Sequence, residues 1–164
     1  MKIALIQLTS GSDIAANIAR IEAMVADAAG QGAQLVVLPE NAFYMRAEGE
    51  APPPQYTQEQ HPGVKAAAEM AGRHGIWLLA GSVAISAGEG QKTYNRSLLC
   101  NPKGDIVAQY DKIHLFDVEI GDGQTYRESA RILPGDKAVV ASISPSPVRG
   151  EGRGGGESGS GANG

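Results

Sequence analysis

The first 38 residues confine this chain to a narrow set of folds. Lys2 to Thr9 (KIALIQLT) is a short apolar run rich in β-branched residues and leucine, the composition of a buried strand. Ser12-Asp13 then offers a helix N-cap, and Ile14, Ile18, Ile21 and Val25 recur at helical spacing. Seven alanines between Ala15 and Ala29 add propensity, and Gly30 and Gly32 mark the stop. Gln34 to Leu38 (QLVVL) is apolar on both faces, as in a strand covered on both sides. Strand, helix, strand within 38 residues is a βαβ unit, which predicts parallel pairing and a layered α/β architecture.

The following segments extend that plan. Glu40 to His61 is irregular and includes Pro52-Pro53-Pro54; a connection of this length usually shapes a site or is disordered. Pro62 to His74 reads as a second helix closed by Gly75, and Ile76 to Ile85 as a third buried strand. Thr93 to Cys100 and Asp105 to His114 read as strands about the turn Asn101-Pro102-Lys103-Gly104. Lys137 to Ile143 (KAVVASI) reads as a last strand after the turn Leu133 to Asp136. The expectation is an α/β domain with a mixed sheet over residues 1–143.

Past residue 143 the pattern fails. Ser144-Pro145-Ser146-Pro147 favours polyproline II, and eight of the fifteen residues from Gly150 to Gly164 are glycine. Residues 144–164 are therefore expected to be a disordered Gly/Ser/Pro-rich tail. Gly150, Gly152 and Gly155 satisfy G-x-G-x-x-G, but no helix follows to receive a pyrophosphate.

Bulk properties exclude several functions. At 164 residues the chain has room for one domain. A net charge of −4 argues against a nucleic-acid partner. No apolar run reaches the roughly 20 residues of a membrane span, and Ile3 to Leu8 is too short for a signal peptide, so a cytoplasmic location is expected. A single cysteine, Cys100, permits no internal disulfide, and three scattered histidines offer no zinc cluster. No metal or organic cofactor is expected.

Three polar positions attract attention. Glu40 directly follows the second buried strand, and open α/β sheets bind ligands at the carboxyl ends of their strands. Lys112, near a strand end in a run shared with Tyr110 and His114, could stabilise an oxyanion. Glu128, in Tyr126-Arg127-Glu128-Ser129, carries almost no signal alone. For each, a solvated surface charge is the plain alternative, and His114 reads as a packed or hydrogen-bonded residue.

Taken in order, Lys2 to Leu8 (KIALIQL), Gly32 to Asn41 (GAQLVVLPEN), Gly81-Ser82-Val83, Thr93-Tyr94-Asn95, Asp111 to Asp117 (DKIHLFD), Glu128-Ser129 and Pro134-Gly135-Asp136 resemble the carbon–nitrogen hydrolase (nitrilase) superfamily, nearest its Nit/omega-amidase-like branch. The resemblance implies the N-terminal portion of a four-layer αββα sandwich, commonly dimeric. It implies an amide or nitrile substrate, a Glu–Lys–Cys triad and a thioester intermediate. Glu40 matches the family's base, Lys112 its oxyanion-stabilising lysine and Glu128 its second glutamate, which positions the lysine or the attacking water. Partial burial of the base is expected to adapt it to proton transfer.

The departures carry equal weight. The family's nucleophilic cysteine lies a couple of dozen residues past the second glutamate, where this chain has Gly150 to Gly156. Asp111 stands where many relatives carry a basic residue, and Ile120-Gly121 replaces a common Val/Ile-Pro-Gly. Cys100 falls at the end of a hairpin strand, with no base or cation adjacent in sequence to activate it. The expectation is a C-terminally truncated hydrolase, inactive as written, with poor solubility because a sheet face lacks its cover. A non-catalytic pseudoenzyme or partner-binding module is the alternative. A nucleotide binder is disfavoured by the lack of a glycine-rich loop after the first strand.

Overall fold

The computed structural model describes residues 1–46, 54–88, 92–121 and 125–144. The expected tail, its proline pairs and its glycine run lie outside the described residues beyond 144, as do the first two prolines of Pro52-Pro53-Pro54.

Strand β1 (Ile3–Leu5) leads into helix α1 (Ile14–Gly30), whose Asp13 side chain accepts the Ala16 N–H as N-cap. Gly32, at φ +83°, turns the chain into β2 (Leu35–Val37). Helix α2 (Pro62–His74) begins with proline in its first turn and ends at Gly75, at φ +64°, the left-handed stop that glycine adopts without strain. Strands β3 (Trp77–Ser86), β4 (Thr93–Cys100) and β5 (Ile106–Asp111) follow, with Gly104 at φ +89° in the turn between β4 and β5.

The main sheet runs β1-β2-β3-β4-β5, parallel through β3 and antiparallel thereafter. Three short strands complete the described elements: β6 (Asp117–Glu119), β7 (Thr125–Arg127) and β8 (Ile132–Leu133). β6 and β7 form a separate antiparallel pair, and β8 joins the start of β4 in parallel.

Helices α1 and α2 cover one face. Ile21 and Val25 from α1, and Val64, Ala67, Met70 and Ala71 from α2, share one core with Val36, Leu38, Leu78, Ala80, Leu98 and Cys100 from the sheet. The expected mixed α/β sheet is thus present as one helical layer on one sheet.

Alternation sends the intervening residues to the other face. Register aligns Leu5, Val37, Leu79 and Leu99 across four strands, and Ile3, Leu35 and Trp77 across three. Leu5 is 78% exposed and Ile3 51%. The expectation that β1 and β2 are buried on both sides is therefore not met, because no described helix lies on this second face.

Two strand expectations also change. The run from Asp105 was expected to continue to His114, but β5 ends at Asp111, so Lys112 and His114 do not share a strand face with Tyr110. Residues 137–143 form no strand: Val140 is 97% exposed, and no ladder pairs this segment with a described strand. Just past it, the Ser144 carbonyl accepts the Trp77 indole N–H at 2.7 Å.

Candidate active site

Glu40 owes its position to a close approach of backbones. The Leu38 N–H donates to the Leu79 carbonyl at 2.9 Å, carrying the chain along β3 before Pro39 and Glu40 leave the sheet. There β3 is bulged: Ala80 pairs with Leu98 and Val83 with Arg96, so Gly81 and Ser82 together face one residue, Ser97. A Cβ on Gly81 would collide with the Leu38 and Pro39 carbonyl oxygens, so only glycine lets this loop lie on the bulge. The buried Ser82 hydroxyl accepts the Asn41 N–H at 3.0 Å and Ser97 Oγ donates to the Gly81 carbonyl at 2.5 Å. Asn41 takes φ +55°, a left-handed conformation that asparagine tolerates better than most residues.

Lys112 is the first residue past β5, and its backbone is tied on both sides. Its N–H donates to the Asn95 carbonyl, and its own carbonyl accepts the Gly135 N–H, each at 2.9 Å. The preceding residue is braced by a bidentate pair, with Arg96 Nε and Nη2 donating to the two Asp111 oxygens at 2.7 and 2.8 Å. Arg96 also donates to Gln58 at 3.0 Å, joining the loop before α2 to the sheet. The acidic Asp111 thereby has its basic partner on the neighbouring strand.

Glu128 opens a single 3-10 turn, Glu128–Ala130. Its Oε2 accepts the Phe116 N–H at 2.6 Å, while its own N–H donates to the Phe116 carbonyl at 3.2 Å.

These elements bring the three sequence-selected residues together. Lys112 Nζ lies 3.1 Å from Glu40 Oε1 and 3.0 Å from Glu128 Oε2. Burial opposes the charge on Lys112, but its hydrogen bonds to Glu128 and Glu40 prevail and raise its pKa. Burial likewise opposes charge on Glu128, yet the Phe116 N–H and Lys112 hold its carboxyl below the ordinary value. The two carboxylates differ in exposure: the Glu128 side chain is 19% exposed and that of Glu40 53%. The expected partial burial belongs to Glu128 rather than to Glu40, which faces an open cleft.

That cleft has a volume of about 880 Å³ and is lined by Glu40, Tyr44, Lys112, Tyr126, Glu128 and Arg131 among others. It mixes apolar wall with a fixed cation between two acids, an arrangement able to hold a polarised carbonyl and move a proton.

Other candidates fall elsewhere. Cys100 is buried at the far end of β4, five residues beyond Asn95, or roughly 17 Å at strand rise. Burial pushes its thiol up to about 11. His61 caps α2, its Nδ1 accepting the Gly63 N–H at 3.0 Å, and burial lowers its pKa. His114 is exposed, so of the packed or hydrogen-bonded roles expected of it the packed one is not met. Among the described residues, no three His, Cys, Asp or Glu side chains are grouped to hold a metal ion, and no helix is long and apolar enough to cross a membrane.

Sequence reasoning passed over Asn95 and Ser82 as individual residues. Both are buried polar groups, and their only signal was membership of the Gly81-Ser82-Val83 and Thr93-Tyr94-Asn95 segments.

Comparison with known proteins agrees with this architecture. Residues 2–147 match the family model described as carbon-nitrogen hydrolase. Deaminated glutathione amidase of Synechocystis is 39% identical over 140 residues, covering 82% of this chain and 49% of that protein. Human omega-amidase NIT2 is 37% identical over 141 residues, covering 82% and 48%. Among solved structures, Saccharomyces cerevisiae Nit3, a member of branch 10 of the nitrilase superfamily, superposes with a TM-score of 0.68 at 25% identity, covering 85% of this chain and 50% of that one. The chain spans about half the length of the curated relatives it matches. On sequence and fold alike, this chain belongs to the carbon-nitrogen hydrolase family.

Proposed function

We propose that this chain carries the proton-transfer and oxyanion-binding half of an amide carbon–nitrogen hydrolase. The observation that supports this reading is the Lys112 ammonium held between Glu40 and Glu128 at the mouth of a cleft. The substrate is a small amide, in keeping with the amidase names of its relatives.

Glu40 is the general base and then the acid. Exposed to the cleft, it takes a proton from the nucleophile and delivers it to the departing amine. Lys112 faces the carbonyl oxygen as negative charge develops there. Glu128, tied to the Phe116 N–H, fixes the ammonium without needing to touch substrate. In thioester chemistry a thiolate bonds to the amide carbon, the carbon–nitrogen bond breaks and ammonia leaves. Water then releases the acid and restores the thiol.

None of these 164 residues supplies the nucleophile. Cys100 is their sole cysteine and packs in the sheet core with its thiol protonated at neutral pH. The isolated chain therefore binds small amides in the cleft and leaves them intact.

Two measurements test this. Titrating a short primary amide into labelled chain should shift resonances of Glu40, Lys112 and Glu128, and Lys112→Met should abolish those shifts. Ammonia release should stay at background. Turnover abolished by Cys100→Ala would overturn the assignment of the nucleophile, and amide shifts confined to other surfaces would overturn the site.

A non-catalytic, partner-binding module is the second reading, favoured by the exposed row containing Leu5 and Ile3. It requires no amide response in the cleft.

A further inference from the structure

Asn95 has no place in the scheme above, yet both its side chain and its backbone reach the site. It lies on β4 and is buried to 6% exposure. Its Nδ2 donates to Glu40 Oε1 at 2.6 Å, the same oxygen that receives Lys112. The Asn95 amide also helps hold Glu128 in its charged form. Its backbone carbonyl accepts the Lys112 N–H at 2.9 Å. One residue thus meets Glu40 through its side chain and Lys112 through its backbone.

An amide suits this place for a chemical reason. The side-chain NH2 has two hydrogens and no charge at any working pH, so it donates to a carboxylate without neutralising it. Lys112 cannot do this alone, because its ammonium serves both acids and must also face the substrate oxygen. A buried donor left without an acceptor is costly, so the amide returns the constraint by fixing the Glu40 carboxylate. Glu40 needs such a tether, being half-exposed on a loop past the end of β2.

We propose that Asn95 is the positioning residue of this site, orienting the Glu40 carboxylate toward the cleft and toward Lys112. The proposal rests on the site reading given above, but its test needs no turnover, so the two can fail separately. Asn95 would act through Glu40 and Glu128, and no contact with substrate is required of it.

The test is a pH titration of the 164-residue chain by NMR, following the Glu128 carboxyl carbon and the rotamer averaging of the Glu40 side chain. In Asn95→Leu, of similar size but without donors, the acid dissociation constant of Glu128 should fall about three- to tenfold. The Glu40 methylene couplings should change from one rotamer to an average. Unchanged values of both, in a chain whose remaining backbone resonances are preserved, would overturn the proposal. Should Asn95→Leu fail to fold, Asn95→Asp keeps the shape while replacing the donor with a third carboxyl. It should then raise the pH at which Glu128 titrates and add a coupled step. A Glu128 titration matching that of the parent chain would overturn the proposal equally.

Discussion

Gly81 on β3 lies directly beneath the backbone of Leu38, in contact that excludes any side chain. This single approach carries the chain from β2 over the β3 bulge and delivers Glu40 to the cleft. Gly81→Ala forces a methyl into the Leu38 and Pro39 carbonyl oxygens, in a segment that the Leu38–Leu79 hydrogen bond ties to β3. A loss of about 2–3 kcal/mol is expected from overpacking against backbone, measured by urea unfolding. The Glu40 and Asn41 resonances should move more than those of α1.

The Arg96–Asp111 pair makes a second prediction. The two side chains are 15% and 21% exposed, and both oxygens of Asp111 accept from the guanidinium. Burial opposes the Arg96 charge, but the hydrogen bond it donates to Asp111 is the larger influence and raises its pKa. Asp111→Ala leaves a largely buried cation short of two partners and is expected to cost about 2–3 kcal/mol. Asp111→Asn, which keeps the shape and one acceptor, should cost less. Chemical denaturation of both variants separates the two outcomes.

Stability should depend on pH through the site itself. Glu128 has a folded pKa below its ordinary 4.5, so its contribution is present above that value and is lost as pH falls through the folded one. Lys112 runs oppositely: its folded pKa lies above the ordinary 10.5, so its contribution is present below 10.5 and lost as pH rises through the folded value. The Lys112–Glu128 pair is therefore at full strength between about pH 5 and pH 10. Lys112→Met should raise the pH at which Glu128 titrates and shift the acid unfolding limb upward, as followed by circular dichroism.

Cys100 should be inert in the native chain. With its thiol pushed up to about 11, roughly one molecule in a thousand carries the thiolate at pH 8, and burial blocks access. Ellman's reagent should leave the folded chain unmodified at pH 8 and label one thiol in urea. Rapid native labelling would show a reactive cysteine and reopen its candidacy as nucleophile.

The uncovered sheet face predicts self-association. Leu5, Ile3, Leu35 and Trp77 lie on one side of adjacent strands with no described helix above them. Leu5→Lys places a charge in that row at a position 78% exposed, where little packing is lost. Light scattering should show a lower apparent mass and slower aggregation for the variant than for the parent.

Local signals in the chain were legible wherever one or two residues dominate. Helix α2 was read to its observed bounds, Pro62–His74, because proline pre-sets the first turn and Gly75 alone accepts the left-handed stop at low cost. The β4–β5 turn was legible for the same reason. Strand ends were less so: Lys112 reads as a continuation of β5, yet its carbonyl turns to Gly135 rather than to β4. The segment 137–143 has strand composition, but composition supplies no partner edge. The β4–β8 pair depends on contacts, Thr93 with Ile132 and Tyr94 with Leu133, whose sequence separation hides them from any window.

By itself the sequence determined the alternation of strands and helices, the helical caps and the identity of the three charged residues, the last through their ordered motifs. Tertiary structure decided that Glu40, Lys112 and Glu128 meet, that Glu128 is the less exposed of the two carboxylates, and that Asn95 and Gly81 lie at the same site. The reason is range. Caps and periodicity are written within one or two turns of chain, whereas Glu40 and Asn95 are 55 positions apart and become neighbours only when β3 and β4 pair.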